Sequence, residues 1–480
     1  MTDSSRKRAG AAIVLAAVWG LYSTAALGAA ATGTDSQPPS AQQAIRASNE
    51  LAQADAPSSL GALFGDDVPA AKKKSGSAFG LRGFVQTEIA RTIASPTHWS
   101  KLLTRAELGA QGAFNDQVKW KLSGRLDYDA VYDVTDFYPS DVRKDQRLNL
   151  YARENYLDFG AGNWDFRIGR QQIVWGEVVG LFFADVVSAK DQREFILSDF
   201  DILRIPQWAA RAEYSKGDYH AELLWVPVPS YDKIGKPGAE FFPAPPPPPP
   251  GFATQFRGEV RPARDLTNTN YGARMSMLKS GWDISGFYYR SMDATPTFSR
   301  EIVGGAQPAF IYQARHDRIN QFGSTVTKDF RSFVLKAEAV YTRGRQFSVM
   351  RLSDVDGLVP QNTLDWVLGF DFTLPKETRL NLQLFQRVFF NHDPDIVSEK
   401  YENGYSVLLN HKITRDVEGQ VLWIASLDRS DWLVRPRITW NFEKNWRVLA
   451  GVDIFHGPPL GFFGRFANRD RIYTELRYSF

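Results

Sequence analysis

The 480-residue sequence contains no cysteine, which excludes disulfides and thiolate metal sites. Histidine is sparse: the six are His98, His220, His316, His392, His411 and His456, and none shows an HExxH or other paired metal spacing. Neither GxSxG nor a phosphate-binding P-loop occurs. No catalytic residue, metal or cofactor is therefore expected, and the chain is not read as an enzyme. A net charge of +3 is too small for the basic face that nucleic acid demands. After residue 28 no stretch approaches the roughly 20 apolar residues a membrane-spanning helix needs.

What is present is aromatic and alternating. The chain carries 13 Trp, 18 Tyr and 33 Phe, yet only 43% of its residues are hydrophobic. That combination suits a transmembrane β-barrel, in which half of each strand faces a polar lumen and aromatic girdles mark the interfaces. Residues 1–28 read as a secretory signal, with Arg6-Lys7-Arg8 ahead of the apolar run Ala9 to Ala26 and small residues at the cleavage positions. Residues 29–78, rich in Ala, Ser, Pro, Gln and Asp, read as a periplasmic leader, with a short helix capped by Ser40. Residues 79–480 read as one all-β unit, an antiparallel outer-membrane barrel of about 18 strands.

The connections carry that reading. Tight turns such as Phe114-Asn115-Asp116, Ala161-Gly162 and Lys216-Gly217 follow the even strands, whereas mostly long gaps such as 132–148, 172–205, 227–267 and 344–363 follow the odd ones, the gap near Asp428 to Asp431 being the clear exception. Alternating short and long connections are what periplasmic turns and external loops produce. The faces agree: Val118, Trp120, Leu122, Leu126 and Tyr128 oppose Lys119, Lys121, Arg125 and Asp127 within one strand. A charge facing lipid at mid-bilayer costs about 2–4 kcal/mol, so the charged faces define the lumen. In the last strand, Ile472, Thr474, Leu476, Tyr478 and Phe480 share the apolar face. Tyr478 with Phe480 resembles the carboxy-terminal assembly signal of bacterial outer-membrane proteins.

Along the last six strands Arg379, Arg387, Arg435, Arg437, Arg447, Arg471 and Arg477 outnumber Glu418, Asp453 and Glu475, which makes a basic lumen wall. Two readings apply: a salt-bridged wall that stiffens the barrel, or a strip that guides anions. The gap after strand five holds the substrate and constriction candidates Arg170, Gln172, Trp175, Glu177, Phe182, Phe183, Asp185, Asp191, Arg193, Glu194, Phe195 and Arg204. Its apolar triplets, Leu181-Phe182-Phe183 and Phe195-Ile196-Leu197, are expected to fold into the barrel mouth and narrow it. Ser188 is expected to cap a short helix reaching Phe195 and Leu197. The prolines from Pro245 to Pro250 read as a stiff external rod.

The runs GRQQIVWGE, ADVVSAKDQREF and RIPQW resemble the proteobacterial domain of unknown function 1302 family. The match is close over residues 80–230 and general beyond. Members often carry an Asn-Pro-type pair ahead of the REF helix, where this chain has Ser188-Ala189. The resemblance implies an outer-membrane barrel associated with the uptake or breakdown of hydrophobic compounds and with inner-membrane exporters of the resistance-nodulation-division type. The expected activity is passage of a hydrophobic or amphipathic small molecule past the inward-folded loop. The alternatives are a general or anion-preferring porin, including polyanion export, and a structural or adhesion barrel. Expected partners are outer-membrane lipid and lipopolysaccharide, the barrel assembly machinery and an inner-membrane exporter. The expected location is the bacterial outer membrane.

Overall fold

The computed structural model describes residues 80–178 and 184–480. The expected signal, the leader and Phe182 and Phe183 lie outside the described residues.

Eighteen strands form the barrel: β1 (Gly80–Thr92), β2 (Trp99–Ala113), β3 (Val118–Asp129), β4 (Leu148–Ala161), β5 (Trp164–Gln171), β6 (Gln207–Lys216), β7 (Tyr219–Val228), β8 (Asn270–Lys279) and β9 (Trp282–Met292). The second half comprises β10 (Arg318–Asp329), β11 (Val334–Ser348), β12 (Leu358–Leu374), β13 (Thr378–Phe390), β14 (Tyr401–Lys412), β15 (Val417–Ser426), β16 (Trp432–Glu443), β17 (Trp446–His456) and β18 (Arg471–Ser479). Each strand pairs antiparallel with its sequence neighbours, and β1 pairs β18 from Phe84↔Ser479 to Thr92↔Arg471. Closure leaves no open edge, so the backbone groups of the ladder are satisfied internally, as a bilayer requires.

The side chains divide as period two dictates. In β18, Ile472 and Leu476 are exposed while Arg471, Tyr473 and Glu475 are buried. In β3, Leu122, Leu126 and Tyr128 are exposed whereas Arg125 and Asp127 are buried. The apolar face is thus the outer one and the charged face the inner one, the arrangement of a membrane-spanning barrel. Aromatic pairs ring both ends, among them Trp164–Tyr214 at 4.9 Å and Trp446–Tyr478 at 4.8 Å on the short-turn end. The turns themselves have local causes. Asn115 accepts the backbone N–H groups of Gln117 and Val118, and the turn between β8 and β9 places Ser280 at φ 53° and Gly281 at φ 74°. Two successive positive φ angles match the twist of a two-residue hairpin.

Three expectations need correction. β11 and β12 run to Ser348 and from Leu358, so their hairpin extends further out than the apolar pattern suggests. Its outer end follows a bulge between Thr342 and Arg345. The helix expected from Ser188 does not form. Ala189–Lys190 instead pairs with Arg204–Ile205, and a single 3-10 turn spans Gln192–Glu194. Distant partners hold those side chains, and they override a local cap. The connection 93–98 between β1 and β2 is short although it follows an odd strand. The proline run leads into a small external sheet, with Ala253–Val260 and Thr297–Val303 flanking Ala309–Arg315. The Tyr312 hydroxyl donates to the Pro246 carbonyl at 3.0 Å.

Candidate functional site

The loop 172–206 between β5 and β6 bonds to inward-facing residues of many strands. Its first arm is apolar. Ile173, Trp175, Ala184 and Val187 are buried in one cluster with Ala209, Leu224, Val226, Phe287, Tyr289 and Val340 of the inner wall. The Trp175 indole N–H donates to Glu222 of β7 at 3.1 Å, and the ring lies 5.6 Å from Tyr289. Gly272 of β8 makes room for it, because a Cβ there would stand 2.9 Å from the indole.

Glu338 of β11 receives this arm. One carboxylate oxygen accepts the backbone N–H groups of Glu177 and of Val178, the latter at 2.7 Å. The other accepts Ala184 N–H at 3.0 Å. A carboxylate facing three backbone donors is a strong anchor, since hydrogen bonds to a charged group exceed neutral ones. Arg274 of β8 lies 3.7 Å from Glu177. Gln172 reaches Glu154 of β4 through its backbone N–H at 3.4 Å.

The second arm is charged and reaches the other side. Asp185 pairs with Arg204 at 2.9 Å, both buried. Glu194 sits between Lys101 of β2 and Arg471 of β18, 2.9 Å from each. Arg193 holds Asp191 at 2.7 Å and donates to Tyr151 of β4. Arg153 of β4 donates to the Arg204 and Asp201 carbonyls, and Arg125 of β3 to that of Ile202. Burial works against both loop carboxylates, yet Arg193 holds Asp191 well below the ordinary carboxylate range, and Lys101 and Arg471 hold Glu194 below it. Burial, with the neighbouring Arg193, pulls the Lys233 ammonium down to about 8. Lys101, Arg105, Asp127 and Asp191 help to line a cavity of about 50 Å³ beside this arm, room for a few waters.

Beyond the charged arm lies an aromatic cluster. Phe195 stands 5.0 Å from Phe466, 5.1 Å from Phe462 and 6.5 Å from Phe241. Leu197, Ile424, Leu433, Phe455 and Phe463 complete it. Phe241 belongs to the following long loop, so two loops share one apolar core. Glu240, beside it, accepts from Tyr138 at 2.7 Å, pairs with Arg469 at 3.1 Å and bonds His98.

All seven candidate wall arginines lie on the inward register. Arg387 pairs with Asp365, Arg435 and Arg471 with Asp453, Arg447 with Glu475, and Arg437 with Asp199 of the loop. Arg477 lies 3.7 Å over the Phe84 ring. Arg379 pairs in register with Asn410 near the short-turn end, away from the loop. Arg170 differs from the other loop candidates. It stands in register with the exposed Trp208, on the set that includes exposed Trp164 and Ile168, so it belongs to the outer face. Residue parity within β5 carried that signal. Glu338 and Glu222 read from parity as lumen carboxylates but not as partners of the loop, because only the folded ring shows which wall segment meets it.

The family described as "Protein of unknown function (DUF1302)" matches residues 100–480. No curated protein matches the chain. Among solved structures it is similar to OmpF of Salmonella typhi, in a complex with daunomycin, with 10% identity and a TM-score of 0.42 over 84% of this chain and 97% of that one. It is similar to OccAB4 of Acinetobacter baumannii with 9% identity and a TM-score of 0.49, over 85% and 99% of the two chains. For OmpT of Vibrio cholerae the identity is 11% and the TM-score 0.38, over 84% and 100%.

Proposed function

We propose that this chain, which belongs to the DUF1302 family of proteins of unknown function, is an outer-membrane transporter whose loop 172–206 closes the lumen, and that its solute is a hydrophobic or amphipathic small molecule. One observation carries the closure. Glu338 holds one arm of the loop on β11, and Lys101 holds the other on β2. Counting around the ring of 18, β2 and β11 are 11 − 2 = 9 strands apart, which is half the circumference. A loop fastened at both positions has to cross the lumen.

The choice of solute rests on the aromatic cluster around Phe195 and Phe241, a surface suited to apolar groups. The inward arginines speak against an anion strip, since five of the seven face a carboxylate. The reading assigns the chain no catalytic chemistry.

Single-channel conductance in planar bilayers tests it, comparing the refolded protein with a variant lacking Val178 to Leu197. The expected result is a closed parent and an open variant. A parent that already conducts freely refutes the closure and leaves a porin.

A further inference from the structure

The outer surface carries a cationic row that no lumen function uses. Cross-strand register places Arg290 of β9 opposite Asn320 of β10, and Asn320 opposite Arg343 of β11. All three lie on the outer face, because Phe322, two residues along from Asn320, is exposed, and Tyr289 and Thr342 on the opposite parity are buried. Arg318 follows at the loop end of β10. One register step towards the bilayer lies an aromatic row, Tyr288↔Phe322↔Tyr341, with Tyr288 and Phe322 4.9 Å apart. An aromatic girdle marks the boundary between hydrocarbon and headgroups. The arginines therefore stand at headgroup depth on the long-loop side.

They have cations to offer and no carboxylate to satisfy them. Arg290 donates to the Asn320 side chain at 3.2 Å, and Arg318 donates to the Thr269 and Thr267 carbonyls. The Arg343 side chain is exposed and forms no hydrogen bond or ion pair among the described residues. Two acids next in sequence to these strands are engaged elsewhere: Asp317 with Arg315 at 3.2 Å and Asp293 with Arg345 at 2.8 Å. Arg290 and Arg343 flank one strand, so their backbones are about 10 Å apart at the usual strand spacing. Two planar forks at that separation, with an amide between them, match a phosphate-bearing headgroup by charge and by hydrogen-bond geometry.

We propose that the outer rim of β9–β11 binds the phosphate groups of lipopolysaccharide through Arg290 and Arg343, with Arg318 adding charge. This does not depend on what crosses the lumen.

The test uses the refolded full-length protein in detergent micelles, titrated with lipid A and with the same lipid A stripped of its phosphates, and read by native mass spectrometry. The parent is expected to hold phosphorylated lipid A at least tenfold more tightly, and the R290Q/R343Q variant to lose that preference. R290K/R343K is expected to keep part of it. No preference in the parent, or an unchanged preference in R290Q/R343Q, overturns the proposal. Heat-dependent gel migration reports whether each barrel is closed. If the double variant does not close, R343Q alone serves, since Arg343 contacts nothing that folding needs. Inorganic phosphate is the competitor. Displacement at concentrations equal to the lipid would assign the row to a free anion and overturn the lipid reading.

Discussion

Replacing Glu338 by alanine is the sharpest perturbation of the anchored loop. Glu338 projects from β11 and accepts N–H groups from Glu177, Val178 and Ala184, so E338A removes one side chain and frees three backbone donors. A hydrogen bond to a charged group contributes about 1.5–3 kcal/mol net. The three donors share one carboxylate, and in the lumen they can turn to water. The loss should therefore correspond to between one and two such bonds, about 2–4 kcal/mol. At about 1.4 kcal/mol per factor of ten, the released loop gains roughly 30- to several-hundred-fold over the held one.

E338Q keeps an acceptor oxygen without the charge, and neutral bonds contribute about 0.5–1.5 kcal/mol, so its effect should be intermediate. The assay is open probability in planar bilayers, with the variant lacking Val178 to Leu197 as the fully released reference. The order parent, E338Q, E338A, deletion is expected. Were E338A to behave as the parent while the deletion opened, the anchor would lie elsewhere, and the reasoning from Glu338 would be refuted.

Other outcomes follow from the same contacts. E194A should loosen the charged arm by about 1–3 kcal/mol, because Lys101 keeps Glu88 and Arg471 keeps Asp453; faster protease cleavage near Arg193 would show it, and unchanged cleavage would argue against it. Burial opposes the His98 charge most, but the Glu240 hydrogen bond, the Pro96 carbonyl and the Glu240 charge together outweigh it and raise its pKa above 6.5. Its contribution is thus complete below pH 6.5 and is lost as pH rises through the raised value. Proteolysis of loop 229–252 should accelerate above neutrality in the parent and become flat across pH in H98A. G83V should impair closure of β1 on β18. A Cβ at Gly83 would stand 2.4 Å from the Glu107 carbonyl and 2.9 Å from the Phe480 ring, so a weaker heat-resistant band is expected.

The ring was legible in the sequence and the loop only in part, for one physical reason. A strand facing lipid on one side and water on the other writes its environment into every second residue, so the faces of β3 and β18 could be read without partners. The hairpin of β11 and β12 escaped at its outer end, where the bulge between Thr342 and Arg345 shifts the register and interrupts the alternation. The same parity that identified the barrel placed Arg170 outside, once Trp164, Phe166 and Ile168 are counted with it. Ser188 misled because capping is local, whereas Arg193 and Glu194 are fixed by Tyr151, Lys101 and Arg471 from distant strands.

That contrast bears on how the loop works. Its apolar arm is anchored through backbone N–H groups, donors that most sequences possess, so the specificity of the anchor resides in Glu338 of the wall and in the space Gly272 leaves for Trp175. Its charged arm is anchored through side chains that must each find a partner. A solute competing for the aromatic cluster at Phe195 would press on the charged arm, because Glu194 precedes Phe195 directly in the chain. Its salt bridges to Lys101 and Arg471 would then have to break before the Glu338 bonds feel any strain. Release in that order predicts that E194A eases solute-dependent opening while leaving resting closure to Glu338. E338A would raise resting conductance with or without solute. Measuring both variants with and without an amphipathic solute separates the two anchors, and equal effects of the two substitutions under both conditions would refute the order.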